Sequence, residues 1–191
     1  ARARLDLGAQ TITNREHSLI FSMGDMAIGG SLDAGRQATG QAAALYNQSA
    51  TIEALGNLSL AVRQISNTNE HFSTYTQTTG TEDIVEYQGS GSPNRYLPDT
   101  PDVYIYRDES LHLHTPERNY ESWLSYNYTR TTTETKVLTS DPAQILSGGA
   151  MHINADTLTN DKSSIMAGGT LSGNIGTLDN TEVPGERVIT D

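Results

Sequence analysis

The stretch that decides the fold is Ala143-Gln144-Ile145-Leu146-Ser147-Gly148-Gly149-Ala150-Met151-His152-Ile153, because a close copy follows 20 residues later as Ser163-Ser164-Ile165-Met166-Ala167-Gly168-Gly169-Thr170-Leu171. Each copy is followed by a Leu-x-Asn triplet that ends at Asn160 or at Asn180. Apolar and polar residues alternate within each half, which is the period of a β-strand. A unit this short cannot bury its own apolar row. It therefore predicts coils of β-strand stacked about 4.8 Å apart.

The same pattern occurs three more times nearer the N-terminus. Ser18–Ile28 opens one copy, and Ala50–Leu60 continues through Ile65-Ser66-Asn67 as another. A truncated copy contains Leu5-Asp6-Leu7 and Ile12-Thr13-Asn14. Since the sequence begins inside a repeat, we expect it to be a piece of a longer protein. Leucine-rich repeats need a denser leucine pattern and ankyrin repeats need helices, so neither architecture fits.

Stacking the copies in register predicts columns of like residues inside the coil. The first column is isoleucine throughout: Ile20, Ile52, Ile145 and Ile165. The second column follows the glycine of each copy: Leu5, Met26, Leu58, Met151 and Leu171. The third column precedes the asparagine: Ile12, Leu45, Ile65, Leu158 and Leu178. Gly173 stands where the pattern requires Leu or Ile, and we expect Ile175 to replace it through a local shift.

Two polar positions recur with the same regularity. An asparagine ends each unit: Asn14, Asn47, Asn67, Asn160 and Asn180. Asparagine tolerates turns, and stacked side-chain amides can pair, so these residues predict a ladder along the coils. A glycine separates the two strands of each copy: Gly24, Gly56, Gly149 and Gly169. These glycines are interpreted as corners with a positive φ.

Two insertions interrupt the repeat. The first, 29–44, is rich in Gly, Ala and Gln, and its Gly40-Gln41-Ala42-Ala43-Ala44 segment could form a short helix or a loop. The second is much longer and runs from 68 to 142. We therefore predict coils over 1–67 and 143–191, separated by a 68–142 insertion, within one continuous domain.

The second insertion differs sharply from the coils in composition. It contains eight of the nine tyrosines and the only tryptophan, and its 12 acidic and 5 basic residues account for −7 of the net charge of −11. His71–Thr79 and Ser122–Thr139 are rich in Thr and Tyr and alternate, which predicts two antiparallel strands leaving and re-entering the coil. Val103–Tyr106 predicts a further short strand, with loops between these segments.

The aromatic residues of the insertion allow two interpretations. Tyrosine and tryptophan are favoured anchors at protein interfaces, which indicates a recognition surface. Alternatively, the rings cover the side of the coils as a local core. For a recognition surface, the predicted contact residues are Tyr104, Tyr106, Trp123, Tyr126 and Tyr128.

The composition argues against several classes of function. A net charge of −11 and a pI of about 4.7 disfavour nucleic acid as a partner, because an acidic surface repels phosphate. The chain has no cysteine and hence neither a disulfide scaffold nor a thiolate metal site. The sequence has no run of 18 apolar residues, so no membrane-spanning helix is predicted. We expect no cofactor.

Candidate catalytic and metal-binding residues are few. His112 and His114 share one face of a predicted strand, but a metal would need a third ligand, and we expect no metal site. The acidic pairs Glu82-Asp83 and Asp108-Glu109 resemble hydrolase acids in type only. Enzymes with a β-helix fold that act on polysaccharides align acidic residues on successive coils, and the outward coil positions here carry no such set. An enzyme is therefore the least favoured interpretation.

The repeat resembles the haemagglutinin repeats of two-partner-secreted exoproteins, the filamentous haemagglutinin family. The resemblance rests on Ile145-x-Ser147-Gly148-Gly149-x-Met151-x-Ile153, on Leu158-x-Asn160, and on Ile165-x-Ala167-Gly168-Gly169-x-Leu171. It implies an all-β fold, a right-handed parallel β-helix of haemagglutinin repeats with a long β-rich extrahelical insertion. It also implies a non-enzymatic protein secreted to the surface of a Gram-negative bacterium as an outer-membrane-tethered filament.

The interrupted arrangement is similar to contact-dependent growth-inhibition effectors, and Glu86–Pro93 and Ser140–Gly149 resemble segments that flank the receptor-binding region there. In those virulence-associated proteins, a β-helical filament presents that region to a neighbouring cell before a C-terminal toxin is delivered. The resemblance implies two partners: the rest of the filament, and a receptor that is either an outer-membrane protein or lipopolysaccharide. It also implies that the chain is monomeric. The alternative is a purely structural stalk.

Overall fold

The computed structural model describes residues 1–191 and contains β-strands without helices. The predicted fold class, a parallel β-helix of haemagglutinin-type repeats with a β-rich insertion, is confirmed. The chain divides into two compact units. We call Ala1–Thr74 with Val137–Pro184 the coil unit, and Tyr75–Lys136 with Gly185–Asp191 the insertion unit. No helical segment has the length and hydropathy needed to cross a membrane.

The 19 strands follow in chain order: β1 (Arg4–Gly8), β2 (Thr11–Arg15), β3 (Leu19–Ser22), β4 (Asp25–Gly29), β5 (Ser31–Leu32), β6 (Ala38–Thr39), β7 (Ala42–Gln48), β8 (Thr51–Ala54), β9 (Leu58–Thr68), β10 (Ser73–Gly89), β11 (Tyr104–Arg107), β12 (Leu111–His114), β13 (Asn119–Tyr120), β14 (Trp123–Thr139), β15 (Gln144–Ser147), β16 (Met151–Asp161), β17 (Ser164–Ala167), β18 (Leu171–Thr181) and β19 (Arg187–Thr190).

Parallel pairing between successive copies builds three faces in the coil unit. The first face has the order β1-β4-β9-β16-β18. The second face pairs β2 with β7 and β7 with the later half of β9, which shows that the 11-residue strands continue over two faces. The third face has the order β17-β15-β8-β3. Each copy of the repeat therefore supplies one turn of the coil.

The register of these sheets aligns the apolar columns. Ile52 lies opposite both Ile20 and Ile145, and Ile145 lies opposite Ile165. The column that starts at Leu5 and the column that starts at Ile12 align in the same way up to Leu171 and Leu178. Side chains of the central coils are fully buried, whereas those of the outermost coils are partly exposed because only one neighbouring coil covers them.

The asparagines form a hydrogen-bonded ladder through the coil unit. The Nδ2 of Asn14 donates to Oδ1 of Asn47 over 2.8 Å, and Asn47 donates to Asn67 over 2.8 Å. The Nδ2 of Asn67 donates to Oδ1 of Asn160 over 2.7 Å, and Asn160 donates to Asn180 over 2.7 Å. The amides also donate to backbone carbonyls, as Asn47 does to Ala50. These buried polar groups are therefore satisfied only when the coils are in register.

The corner glycines differ from expectation in their backbone conformation. The glycines with positive φ are Gly40, Gly91 and Gly173, so the positive φ predicted for Gly24, Gly56, Gly149 and Gly169 is wrong. Their requirement is space. A Cβ on Gly24 would lie 1.7 Å from the carbonyl oxygen of Ala3, and one on Gly149 would lie 2.5 Å from Oδ1 of Asn57. Adjacent coils approach too closely at this corner for a side chain.

The expected shift around Gly173 does not occur. Gly173 stays opposite Ile153, and Ile175 stays opposite Ala155. The backbone of Gly173 approaches its neighbour so closely that an added Cβ would lie 1.7 Å from the carbonyl oxygen of Ile153. The hydrogen-bonded register is thus kept, and the apolar column simply has a gap at this position.

The first insertion forms a small β-hairpin, because β5 and β6 pair antiparallel. The helix considered for the segment around Ala42–Ala44 is wrong, since β7 begins at Ala42 and lies opposite Val62 of β9. Ala42 is fully buried in the core. A five-residue helix is too short to be stable alone, whereas a strand here gains ladder hydrogen bonds and core contacts.

The second insertion begins and ends at adjacent points of the coil unit. The hydroxyl oxygens of Ser73 and Thr139 lie 2.6 Å apart, and Nδ2 of Asn69 donates to Oγ of Ser140 over 3.0 Å. The amide of Gln144 then donates to the carbonyl of Ala50 over 2.9 Å, and β15 pairs with β8. The coils therefore resume in register after the insertion.

The insertion unit contains a long three-stranded sheet in the order β10-β14-β19. Contacts of Thr79 with Thr132 and of Asp83 with Thr129 run in opposite senses along β10 and β14, so these strands are antiparallel. β19 pairs antiparallel with Thr131–Glu134. Coils were predicted over all of 143–191, but residues 185–191 instead extend this sheet. The Arg130 guanidinium holds their end through Asp191.

Replacing Asn67 with alanine tests the ladder. The change removes the donor to Oδ1 of Asn160 and an acceptor for Nδ2 of Asn47, both buried, so we expect the free energy of unfolding to fall by about 2–3 kcal/mol. Urea unfolding followed by far-UV circular dichroism measures this loss. Gln64→Ala is the matched control, because it removes an exposed amide from the same strand. Equal midpoints for the two variants would contradict the role of the ladder.

Candidate recognition surface

A second, smaller sheet of the insertion unit carries the candidate site. Strands β11, β12 and β13 pair antiparallel, with Leu113 opposite both Ile105 and Tyr120. One side of this sheet packs inward. Leu113 is 0 % exposed and clusters with Val103 and Tyr120, while the half-buried rings of this region pack around them: Tyr87, Tyr96 and Trp123. This small core supports the sheet from behind.

Alternation along β11 and β12 places four rings on the opposite side. Tyr104 lies across from His114 and Tyr106 across from His112. The rings of each pair are stacked, with centroids 4.6 Å apart for the first pair and 5.2 Å for the second. The two tyrosine rings lie 6.0 Å apart, and Tyr104 is 52 % exposed. We call these four residues, with Asp108 and Ser110 of the connecting turn, the aromatic face.

Hydrogen bonds hold the histidines of the aromatic face in position. Nε2 of His112 lies 2.9 Å from Oδ1 of Asp108 and 3.0 Å from Oγ of Ser110. Nδ1 of His114 contacts the side-chain oxygen of Asn119. A catalytic triad needs the serine and the acid on opposite ring nitrogens, but here both contact Nε2. The arrangement therefore orients the ring and does not assemble a proton relay.

The carboxylate of Asp108 is ionised at neutral pH. The backbone N–H of Ser110 lowers the pKa of Asp108, and its contact with His112 adds to the effect. Its side chain is 60 % exposed. The aromatic face thus has an accessible negative charge at one end. No group of three or more His, Asp or Glu side chains is arranged to hold a metal ion.

Glu117 ties together the loops beneath this sheet. Its carboxylate accepts hydrogen bonds from the hydroxyls of Tyr120 over 2.6 Å and Ser92 over 2.7 Å, and also from the amide of Asn94. These donors, Tyr120 first, lower the pKa of Glu117 to about 2. The sequence offered no signal for this role, because the donors Ser92 and Asn94 lie 25 and 23 residues from Glu117 in the chain.

The five predicted contact residues have different surroundings. Tyr104 and Tyr106 belong to the aromatic face, whereas Trp123 packs against the small core. The hydroxyl of Tyr126 donates to Oε1 of Gln88 over 2.7 Å, and the Arg95 guanidinium lies 3.8 Å above its ring. Burial raises the pKa of Tyr128, whose hydroxyl accepts from Arg130. Trp123, Tyr126 and Tyr128 thus have partners within the insertion unit, whereas Tyr104 and Tyr106 lie on the aromatic face.

Sequence reasoning considered His112 and His114 only as metal ligands and did not include them in the surface. The usable signal was the pairing of Tyr-x-Tyr with His-x-His across a short turn. On a two-stranded hairpin this spacing puts all four rings on one side. The missing information was the register, which the turn at Asp108–Ser110 determines.

Replacing Glu117 with glutamine tests how the loops are tied together. Because the folded-state pKa is depressed, the stabilisation is present above pH 4.5 and is lost as the pH falls toward 2. We expect Glu117→Gln to lower the melting temperature of the insertion unit at neutral pH and to remove this acid-dependent loss. Fluorescence of Trp123, the single tryptophan, reports on this region. The control, exposed Glu121→Gln, should keep the wild-type profile; an unchanged profile for Glu117→Gln would refute the assignment.

Comparison with known proteins gives a family match for the coils but not for the aromatic face. The haemagglutinin repeat model matches residues 1–85 and 131–182, well over half of the chain, and the aromatic face lies between these ranges. Searches of curated proteins and of solved structures give no significant match. Proteins with this repeat are typically secreted, adhesin-like cell-surface filaments and are generally not enzymes. The repeat, its stacked coils and the family model agree that this chain belongs to the haemagglutinin repeat family.

Proposed function

We propose that this chain is a receptor-recognition segment of a secreted cell-surface filament. In this proposal the coil unit is part of the filament, and the insertion unit binds an outer-membrane receptor on a neighbouring Gram-negative cell. The observation that carries the proposal is the aromatic face, in which Tyr104, Tyr106, His112 and His114 share one side of a hairpin that has its own core behind it.

The aromatic face has the properties of a prepared binding surface. Its rings are stacked in cross-strand pairs, and its histidines are held by hydrogen bonds. Groups already fixed in place lose little conformational entropy when a partner binds, which favours affinity. Tyrosine also combines a large contact area with a polar hydroxyl, a combination that is enriched at interfaces. These features support recognition of a partner better than they support a purely structural stalk.

The coil unit uses its recurring side chains for a different purpose. Its apolar columns and its asparagines bond one coil to the next, and the corner glycines let coils approach. Such a unit makes a regular support whose stability is shared between neighbouring repeats. Because these side chains are used in contacts between coils, receptor binding is better assigned to the insertion unit.

The wider setting of the proposal comes from contact-dependent growth-inhibition effectors. Receptor binding by this segment would precede delivery of a toxin located elsewhere in the protein, and the segment would act as a monomer. The second candidate function is a structural stalk whose insertion only decorates the filament. A polysaccharide-active enzyme is the third, and the contacts of Asp108 with His112 and of Asp83 with Thr129 give it no support.

Excising the insertion tests the proposal. Because Ser73 and Thr139 are adjacent, an Asn-Gly turn can replace residues 74–138. The variant should end at Pro184, since residues 185–191 lose their partner strand. We expect the labelled intact chain to bind saturably to some members of a panel of Gram-negative bacteria, and the excised variant to bind to none. Circular dichroism should show that its coils remain folded.

Point substitutions localise the binding within the insertion. Replacing both Tyr104 and Tyr106 with alanine should weaken cell binding at least about tenfold, as expected of interface hot spots. Tyr75→Ala is the matched control, because Tyr75 is an exposed tyrosine of the insertion unit outside the aromatic face. Full binding by the excised variant would overturn the proposal, and saturable binding by neither protein would favour the stalk.

A further inference from the structure

We infer that the aromatic face binds a positively charged side chain, arginine or lysine, from an exposed loop of a protein receptor. This inference rests on the proposed function and chooses between two partner classes, a protein and a phosphorylated glycolipid. It follows from three features of the insertion unit: the balance of its charges, the engagement of its basic residues, and the chemistry of the aromatic face.

The charge balance of the insertion favours a cationic partner. Residues 75–136 contain ten acidic and five basic side chains. Most of the basic ones are engaged within the unit. Lys136 pairs with Glu134 and Arg130 pairs with Asp191. Arg95 lies over the ring of Tyr126 and Arg118 over that of Tyr120. The negative charge is therefore in excess, and most of the basic side chains already have partners within the unit.

The remaining basic residue of the range 75–136 is not on the aromatic face, and Arg187 lies opposite Glu134 in the long sheet. Arg107 lies opposite Leu111, and alternation along β11 directs it to the other side from Tyr106. The side that carries the rings has the carboxylate of Asp108 at one end, and Glu109 is exposed in the same turn. A phosphate placed on these rings would meet a carboxylate without a neighbouring lysine or arginine, which is unfavourable. A glycolipid phosphate therefore does not fit.

A cationic side chain fits the same geometry. The ring faces of tyrosine attract guanidinium and ammonium groups, and a nearby carboxylate adds a charge-assisted hydrogen bond. Tyr106 stacks on His112, whose Nε2 is bonded to the exposed carboxylate of Asp108. A guanidinium could thus rest against a tyrosine ring face and bond the free oxygen of Asp108. Arginine suits this site best, because its planar group both stacks and donates in pairs.

The first experiment uses a probe in place of the receptor. The blocked peptide acetyl-Gly-Arg-Gly-amide is titrated into the intact chain, and binding is followed by the NMR shifts of Tyr104, Tyr106 and His112. We expect a localised, saturable shift. The isosteric citrulline peptide, which lacks the charge, should bind at least about fivefold more weakly. Asp108→Asn should weaken arginine-peptide binding by a similar factor, whereas Asp99→Asn, an equal charge loss on an exposed loop, should not.

The second experiment uses bacterial cells that bind the intact chain. Asp108→Asn should weaken cell binding, and purified lipopolysaccharide should not compete. Competition by lipopolysaccharide, or equal affinities for the arginine and citrulline peptides, would overturn the inference while leaving receptor recognition intact. If the intact chain binds no cell but still binds the arginine peptide, the proposed function fails and the cation site stands.

Discussion

The buried asparagine ladder is the constraint on which the rest of the coil unit depends. Each side-chain amide donates to the amide of the next coil, from Asn14 to Asn180. A slip of one residue between two coils would leave these buried groups unpaired and would also turn the apolar columns outward. Apolar stacking alone tolerates exchange among Leu, Ile and Met, whereas the paired amides accept only one alignment. The ladder thus supplies register, and the columns supply most of the hydrophobic stabilisation.

The same constraint explains how a long insertion is accommodated. Asn67 and Asn160 are 93 residues apart in sequence and yet form one step of the ladder. The chain leaves and returns at adjacent points near Asn69 and Ser140, so the closure is already made and a longer loop adds little further entropic cost. The insertion can then follow its own rules, with a local core around Leu113 and a carboxylate hub at Glu117. The sequence of the insertion can vary without disturbing the ladder of the coil unit.

Residues inside the repeat could be placed from the sequence more fully than residues outside it. The columns of Ile52 and Leu58 could be predicted from the sequence, because aligning the copies of the repeat shows which residues stack on one another. The corner glycines were located correctly for the wrong reason, since the crowding at Gly24 depends on the neighbouring coil and not on local φ. Only the tyrosines of the aromatic face were predicted as contact residues, because the residue pattern does not reveal the hairpin register that places His112 opposite Tyr106. The return of residues 185–191 to β14 carries no repeat signal and could not be foreseen.

The coils continue in one register across the insertion, and amide hydrogen exchange of the intact chain measures this continuity. The amides of Thr157–Asp161 in β16, which pairs with β9, should be protected as strongly as those of β9 itself, and Asn67→Ala should reduce the protection of both strands together. Fast exchange in β16 beside a protected β9, or loss of protection in β9 alone, would show instead that the stack of coils is broken at the insertion.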